Sequence, residues 1–204
     1  LEVSGNLDID VFGFFQVSGG FALSKSTGTI TLSDTAATEL TVDQLTLGAS
    51  NVSAFAGIAG GTSDAVGLAL TDVEFALGIF SDQADPTRTW TALQATAASF
   101  GFIGVEDLSV TGTTLSVSIN QAPVGEDVAN LAVNSVAVKT GPSSSKDLDL
   151  DGSRGELLEV SGNLDIDVFG FFQVSGGFAL SKSTGTITLS DTAATELTVD
   201  QLTL

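Results

Sequence analysis

Apolar and polar residues alternate along most of this chain. From Leu1 to Leu23 the odd-numbered positions are almost all apolar or glycine, and no apolar spacing of 3.6 residues persists over three helical turns. A two-residue period places successive side chains on opposite faces of a strand. The pattern therefore predicts an all-β fold. It also predicts a hairpin at Thr27-Gly28, because the apolar positions change parity between Leu23 and Leu32.

A shorter motif recurs within this alternation: apolar-x-apolar, two polar residues, apolar-x-apolar. The first apolar positions after each polar break are spaced 28, 35, 28 and 28 residues apart, and they are Leu45, Val73, Leu108, Val136 and Leu164. None of the first four breaks contains the glycine that a tight hairpin prefers. Two polar residues between short strands let a coil turn a corner while its apolar side chains stay inside. We therefore expect a β-solenoid of stacked 28-residue coils, with an antiparallel β-meander or sandwich as the alternative.

The chain also contains a long, perfect repeat. Residues 1–47 and 158–204 are identical, so the period is 157 residues. Residues 1–157 are one full unit and 158–204 are the first part of the next, within a single repeat-built β domain at 1–204. Shared folds alone do not keep surface residues identical. We therefore expect a segment of a long tandem array, with an engineered duplication as the alternative.

Charge and composition narrow the class of protein. The chain has 25 acidic and six basic residues, a net charge of −19, and 43% hydrophobic residues. Such a surface repels phosphate, so neither nucleic acid nor an anionic membrane is an expected partner. No apolar run reaches the roughly 18 residues of a membrane span, so no membrane insertion is expected. The absence of Cys and the acidic make-up are typical of secreted bacterial repeat proteins, which predicts an extracellular or cell-surface location.

The residue types that are missing argue against an enzyme. The chain has no His and no Cys. Ser-His-Asp and Cys-His arrangements are therefore impossible, and zinc sites with nitrogen or sulfur ligands are excluded. We expect a non-catalytic protein with no catalytic residues.

One acidic motif matches the opening of a calcium loop. Aspartates at positions 1, 3 and 5 followed by glycine bring hard carboxylate oxygens together at a sharp turn. The candidate calcium ligands are Asp147, Asp149, Asp151, Ser153 and Glu156. The motif lacks the closing Glu at position 12 and its flanking helices. The alternative is a strand whose aspartates face solvent while Leu148 and Leu150 point inward.

A second candidate site lies in the loop that precedes the only Trp. Asp82, Asp85, Arg88 and Trp90 combine acids, a base and an aromatic ring, which is a set that contacts carbohydrate. The alternative is that the loop is purely structural. Four further aromatic residues interrupt the polar positions of the first strand and of its copy, and these assembly candidates are Phe12, Phe14, Phe169 and Phe171. They are expected either to pack beneath a loop of the same chain or to meet another protomer.

Several segments resemble repeats of very large secreted bacterial proteins. These are GNLDIDVFGFFQVSGGFAL, SNVSAFAGIAGG, AVGLALTDVEFALGIFSDQADPTRTW and LSVSINQA. They are similar to RTX-type or haemagglutinin-like adhesins, although the glycine-rich nonapeptide of RTX rolls is missing. The resemblance implies a non-catalytic structural repeat of an extracellular fibre, stalk or adhesin. The acidic motif predicts that calcium stabilises this repeat, and the unpaired coils at the ends of a solenoid segment predict that it assembles with itself end to end or laterally. The alternative is a carbohydrate-binding or polysaccharide-cleaving β-helix module with glycans as partners.

Overall fold

The computed structural model describes residues 1–190 and 194–204, and its regular structure is almost entirely strand. The strands are β1 (Glu2–Val11), β2 (Phe15–Thr31), β3 (Glu39–Ile58), β4 (Val66–Asp82), β5 (Thr89–Ile103), β6 (Leu108–Gln121), β7 (Val136–Lys139), β8 (Ser145–Leu148), β9 (Leu157–Val168), β10 (Phe172–Thr188) and β11 (Glu196–Thr203). A short 3-10 helix, η1 (Gly152–Arg154), precedes β9. No helix in these two ranges has the length and apolar character needed to cross a membrane.

Nine strands form one antiparallel sheet in the order β1-β2-β3-β4-β5-β6-β9-β10-β11. The all-β prediction is confirmed, and of the two predicted arrangements the antiparallel meander is the one that fits. Leu45 lies opposite Lys25 on β2 and Ile79 on β4, so the predicted column through Leu45 and Val73 does not form. The remaining two strands, β7 and β8, pair with each other as a separate hairpin.

The predicted turn at Thr27-Gly28 is wrong, because β2 runs straight through both residues. The apolar positions change parity for another reason. Leu23 points to one face of the sheet and is exposed, whereas Ile30 points to the opposite face and is fully buried. A strand whose large apolar side chains move from one face of the sheet to the other along its length has the same parity change as a hairpin.

The turn between β1 and β2 lies instead at Phe12-Gly13. Both residues have positive φ, 52° and 69°, which is the conformation of a tight hairpin turn. The Asp10 carboxylate accepts hydrogen bonds from the Gly13 N–H at 2.8 Å and from Gln16 Nε2 at 2.8 Å. These bonds, with the Gly13 N–H first, lower the pKa of Asp10.

Local insertions keep the two faces of the sheet distinct. Asn51 in β3, Asp72 in β4 and Thr114 in β6 have φ of 51°, 53° and 53°, and the pairing register is interrupted around Asn51 and Thr114. Each inserted residue resets the alternation along its strand, as a β-bulge does. As a result, Leu47 pairs with Leu23 and Ala56 pairs with Phe15, so both lie on the same face although they are an odd number of residues, nine, apart.

The second copy of the repeat has the same pairing as the first. Glu2 lies opposite Ser24, and Glu159, 157 residues later, lies opposite Ser181. The β2–β3 register also recurs between β10 and β11. Identical sequences therefore form identical strand pairs at two places in one sheet.

Candidate interaction surfaces

Residues 122–156 form a cover over part of one sheet face, and we name them the cover segment. The segment follows β6, forms a β-bridge between Ala129 and Leu32 just after β2, and continues into the β7–β8 hairpin, which packs against β2 to β5. Gly48 lies directly beneath it, since a Cβ there would come within 2.2 Å of the Lys139 carbonyl oxygen. The buried core lies between the segment and the sheet: Ile30, Leu32, Val42, Ala76, Phe80, Trp90, Ala92, Ala129, Leu131, Val136, Val138, Leu148 and Leu150.

The loop proposed for carbohydrate contact attaches the cover segment to the sheet. The Trp90 side chain is fully buried, and its Nε1–H donates a hydrogen bond of 2.8 Å to the Asp127 carbonyl. Arg88 donates to the buried Asp82 carboxylate at 2.7 Å and 3.2 Å, and its guanidinium carbon lies 5.3 Å from the Trp90 ring centroid. A second ion pair joins Arg88 to Glu126 at 3.3 Å. A buried Trp ring offers no face to a sugar, so the geometry here is that of a structural contact.

Asp85 is the exposed member of that set. Its carboxylate accepts hydrogen bonds from the Thr87 hydroxyl at 2.6 Å and from the Thr87 N–H at 3.1 Å. These two bonds, the hydroxyl first, lower the pKa of Asp85. Both bonds close the turn between β4 and β5. Carbohydrate contact through this loop stays a prediction, now without an available aromatic ring.

The candidate calcium ligands are exposed or hydrogen-bonded within the chain. Asp147 and Glu156 are exposed, and Asp149 is bound to Gln94 by two hydrogen bonds, one of 2.8 Å to its carboxylate and one of 2.9 Å from its N–H. Asp151 accepts from the Ser153 N–H at 2.9 Å and the Ser153 hydroxyl at 2.8 Å, which caps η1 and lowers the pKa of Asp151. Within the described ranges no group of three or more His, Cys, Asp or Glu side chains is arranged to hold a metal ion.

The arrangement matches the alternative prediction for this segment. Leu148 is fully buried and Leu150 is nearly so, while the three aspartates alternate outward. Calcium binding stays a prediction. Calcium would share the carboxylate oxygens of Asp149 and Asp151 with the hydrogen bonds from Gln94 and Ser153.

The assembly candidates lie at the tips of two hairpins. Phe12 and Phe14 are 93% and 58% exposed, and their copies Phe169 and Phe171 are 55% and 96% exposed. The first of the two expectations, packing beneath a loop of the same chain, is therefore not what the structure has. Contact with another protomer stays a prediction.

The two copies of the repeat differ in what covers them. Ile30 and Leu32 are 0% and 6% exposed beneath the cover segment, whereas the identical positions Ile187 and Leu189 are 42% and 40% exposed. The difference arises because residues 122–156 reach only the first copy. Packing, and not the sequence of the strand, thus determines the burial of these positions.

The face of the sheet opposite the cover segment has no covering element among the described residues, and we name it the open face. Directly opposed residues of antiparallel strands share a face, so the pairing registers define its rows. One row is Val3, Leu23, Leu47, Leu77, Leu93, Ile119 and Leu158. Another is Val11, Phe15, Ala56, Leu68, Phe102, Val110, Ile166 and Val174.

Sequence reasoning missed this face, although the alternation from Leu1 to Leu23 contains it. The solenoid prediction places every apolar position inside a coil, so it predicts no exposed apolar face. The face becomes visible only once the neighbours of each strand are known, because the bulges shift its positions from odd to even numbers along β3 to β6.

The last candidate surface is the junction between the two units. β6, the last sheet strand of the first unit, pairs with β9, which is the second copy of β1. The sheet therefore passes from one unit into the next without interruption. The edge of β1 that faces away from β2 has no partner strand among the described residues. In the second copy the same edge belongs to β9, and there it pairs with β6.

Comparison with known proteins adds no relative. No family model matches the chain, and no curated protein or solved structure matches it.

Proposed function

We propose that this chain is a non-catalytic structural repeat of an extracellular fibre, stalk or adhesin at a bacterial surface. In this proposal successive 157-residue units form one continuous antiparallel sheet, with six long strands and one cover segment per unit. The observation that carries it is the pairing of β6 with β9, since β9 is the first strand of the next unit. The continuous sheet takes the place of the stacked 28-residue coils expected from the sequence.

The junction supports this proposal because it is as extensive as the contacts inside a unit. The pairing runs from Leu108 opposite Val168 to Asn120 opposite Leu157, which is nearly the full length of both strands. A sheet continued through such a junction gives a rigid connection, unlike a linker. Six strands at about 4.8 Å each would lengthen the array by roughly 29 Å per unit.

The edges of this chain favour growth through one covalent chain. The free edge of β1 is equivalent to the edge of β9, which pairs with β6 at the junction. The free edge of β11 is equivalent to the edge of β3 that pairs with β4. The two open edges are therefore not each other's counterparts. End-to-end association of separate chains stays a prediction. The extracellular location and the adhesin role have the support of composition, charge and the perfect repeat.

The proposal is tested by the lengths of arrays with one, two and four units. Small-angle scattering and electron microscopy should show the longest dimension growing by a constant step of roughly 29 Å per unit. Compact particles, or units joined at variable angles, would contradict a continuous sheet.

Two proline variants make the test specific to the junction. Asn6 and Asn163 are the same position in the two copies, and Asn163 lies opposite Thr113 of β6. The hydrogen bonds that join Leu1 and Lys25 in both directions show that odd-numbered residues of β1 bond to β2, so the Asn6 N–H points outward. Asn163→Pro should therefore loosen the junction, while Asn6→Pro should leave it intact. Equal behaviour of the two variants would count against the proposal.

A further inference from the structure

The open face consists entirely of apolar residues over a wide area. Between the row of Leu23 and the row of Phe15, every open-face residue of β1 to β6 and β9 is Ala, Gly, Val, Leu, Ile or Phe. The opposite face of β1 alone presents Glu2, Asp8 and Asp10. The sheet is therefore strongly amphipathic, and its apolar side is the one that the chain leaves uncovered.

Many of the large side chains of this face are accessible to solvent, whereas Ala49, Val52 and Ala97 between them are 0%, 7% and 7% exposed. Leu7 is 48% exposed, Phe15 46%, Leu68 42% and Leu23 41%. Seven strands at about 4.8 Å spacing and eight residues at about 3.3 Å rise give the face roughly 29 Å by 27 Å, or about 800 Å². Exposed apolar patches of monomeric proteins rarely exceed a few hundred Å². About 800 Å² per partner is the size of a standard stable protein interface.

We infer that the open face packs against the open face of a second copy of this chain, so that two single sheets form a two-layer sandwich. A sheet with one apolar face must bury it against another layer. The net charge of −19 disfavours contact between two copies through their acidic surfaces. Because the open face carries no charged residue in this area, it is the surface through which two copies can associate. Two sheets about 10 Å apart hold the acidic side chains of their outer faces roughly 20 Å apart, beyond the screening length of about 8 Å at physiological ionic strength.

A second copy also fits the shape and symmetry of the surface. An apolar face can pack against the same face of a second copy related by a two-fold rotation, which is the commonest relation in homodimers. A lipid surface is the competing occupant, and the negative charge of the chain opposes its approach to anionic bilayers. The inference is independent of the proposed function because it concerns the face of the sheet and not the β6–β9 junction.

The test compares open-face variants with matched variants of the cover segment. The unmodified chain should have a mass of about 41 kDa by light scattering, twice the 20.6 kDa of one chain. Leu23→Lys with Leu68→Lys should give monomers and raise the dimer Kd by about a hundredfold or more, because two amines would be buried. Val124→Lys with Val133→Lys changes side chains that are 106% and 70% exposed in the cover segment, and it should leave the dimer intact.

A second measurement does not depend on how the lysine variants fold. The chain has no cysteine, so Leu68→Cys provides a single thiol on the open face and Val133→Cys a control thiol on the cover segment. Maleimide should react with Leu68→Cys more slowly as protein concentration rises, and with Val133→Cys at one rate throughout.

Three results would overturn the inference. The first is that the unmodified chain is monomeric at about 50 μM, which is far above the Kd of a standard interface. The second is that the Leu68→Cys thiol is labelled at the same rate at all protein concentrations, and the third is a dimer that Asn6→Pro abolishes and the lysine pair does not. Flotation of monomers with phosphatidylcholine vesicles, lost in the lysine variant, would assign the face to lipid and also overturn it.

Discussion

The two copies of the repeat allow one substitution to be made in two environments. Ile30 is fully buried among the core residues beneath the cover segment, whereas Ile187, the same position one period later, is 42% exposed. We predict that Ile30→Ala destabilises the chain by about 3 kcal/mol, within the range of 2–5 kcal/mol for buried Ile to Ala. Ile187→Ala should cost no more than about 0.5–1 kcal/mol, as for other partly exposed positions.

The assay is guanidinium and thermal unfolding followed by circular dichroism and by the fluorescence of Trp90. Trp90 belongs to the same buried cluster as Ile30, so its signal reports the covered part of the sheet. For a chain of this length a loss of about 3 kcal/mol lowers the melting temperature by roughly 6–12 °C. The double variant should show the sum of the two effects, since the sites are far apart.

Equal losses at the two positions would refute this reasoning. They would mean either that the cover segment contributes nothing at Ile30 or that an unidentified element covers Ile187 equally well. A larger loss at Ile187 would contradict the assignment of the cover segment to the first copy altogether.

Three further predictions concern individual hydrogen bonds and the acidic motif. Trp90→Phe removes the indole donor of the Asp127 carbonyl and leaves a smaller ring in a fully buried site, so it should cost about 1–3 kcal/mol in guanidinium unfolding; an unchanged midpoint would contradict it. Because hydrogen bonds lower the pKa of Asp10 in the folded chain, its contribution to stability is present above its ordinary pKa near 4 and is lost as pH falls through the depressed value. Asp10→Asn should therefore flatten the fall in melting temperature between about pH 5 and pH 2, and an unaltered slope would argue against this turn. If calcium binds at Asp149 and Asp151, it should raise the melting temperature more than magnesium does, and Asp149→Asn with Asp151→Asn should abolish the difference. No calcium effect, or the same effect in the variant, would leave these residues as a solvated strand.

The strands could be predicted from the sequence, but their partners could not. Alternation at Leu1 to Leu23 identifies strand as opposed to helix, since only strand has a two-residue period. A parity change, however, has several causes. In β2 it marks a move from the open face to the covered face, at Asp72 it accompanies an inserted residue, and at Asp107 it lies in the turn between β5 and β6. The sequence does not distinguish these cases because each of them shifts the apolar positions by one.

The candidate sites show the same limit for side chains. The alternative prediction for the acidic motif, a strand with Leu148 and Leu150 pointing inward, follows from the alternation of apolar and acidic residues alone. The role of Trp90 was not predictable, because its partner Asp127 lies 37 residues away and comes close only when the cover segment folds back. The open face could not be predicted for a related reason. It is built from seven strands, and the sequence of a single strand does not show whether anything covers it.

The continuity of the sheet from one unit into the next is tested most directly by a disulfide across the junction. Thr111 of β6 lies opposite Asp165 of β9, and opposed residues are separated by about 4.5–5.5 Å between Cα atoms, within the span of a disulfide. In a chain without other cysteines, Thr111→Cys with Asp165→Cys should oxidise almost completely in the folded state, with no change in circular dichroism. The offset pair Thr111→Cys with Asp167→Cys should remain largely reduced. Bonding of the offset pair, or of neither pair, would contradict a sheet that passes through β6 and β9.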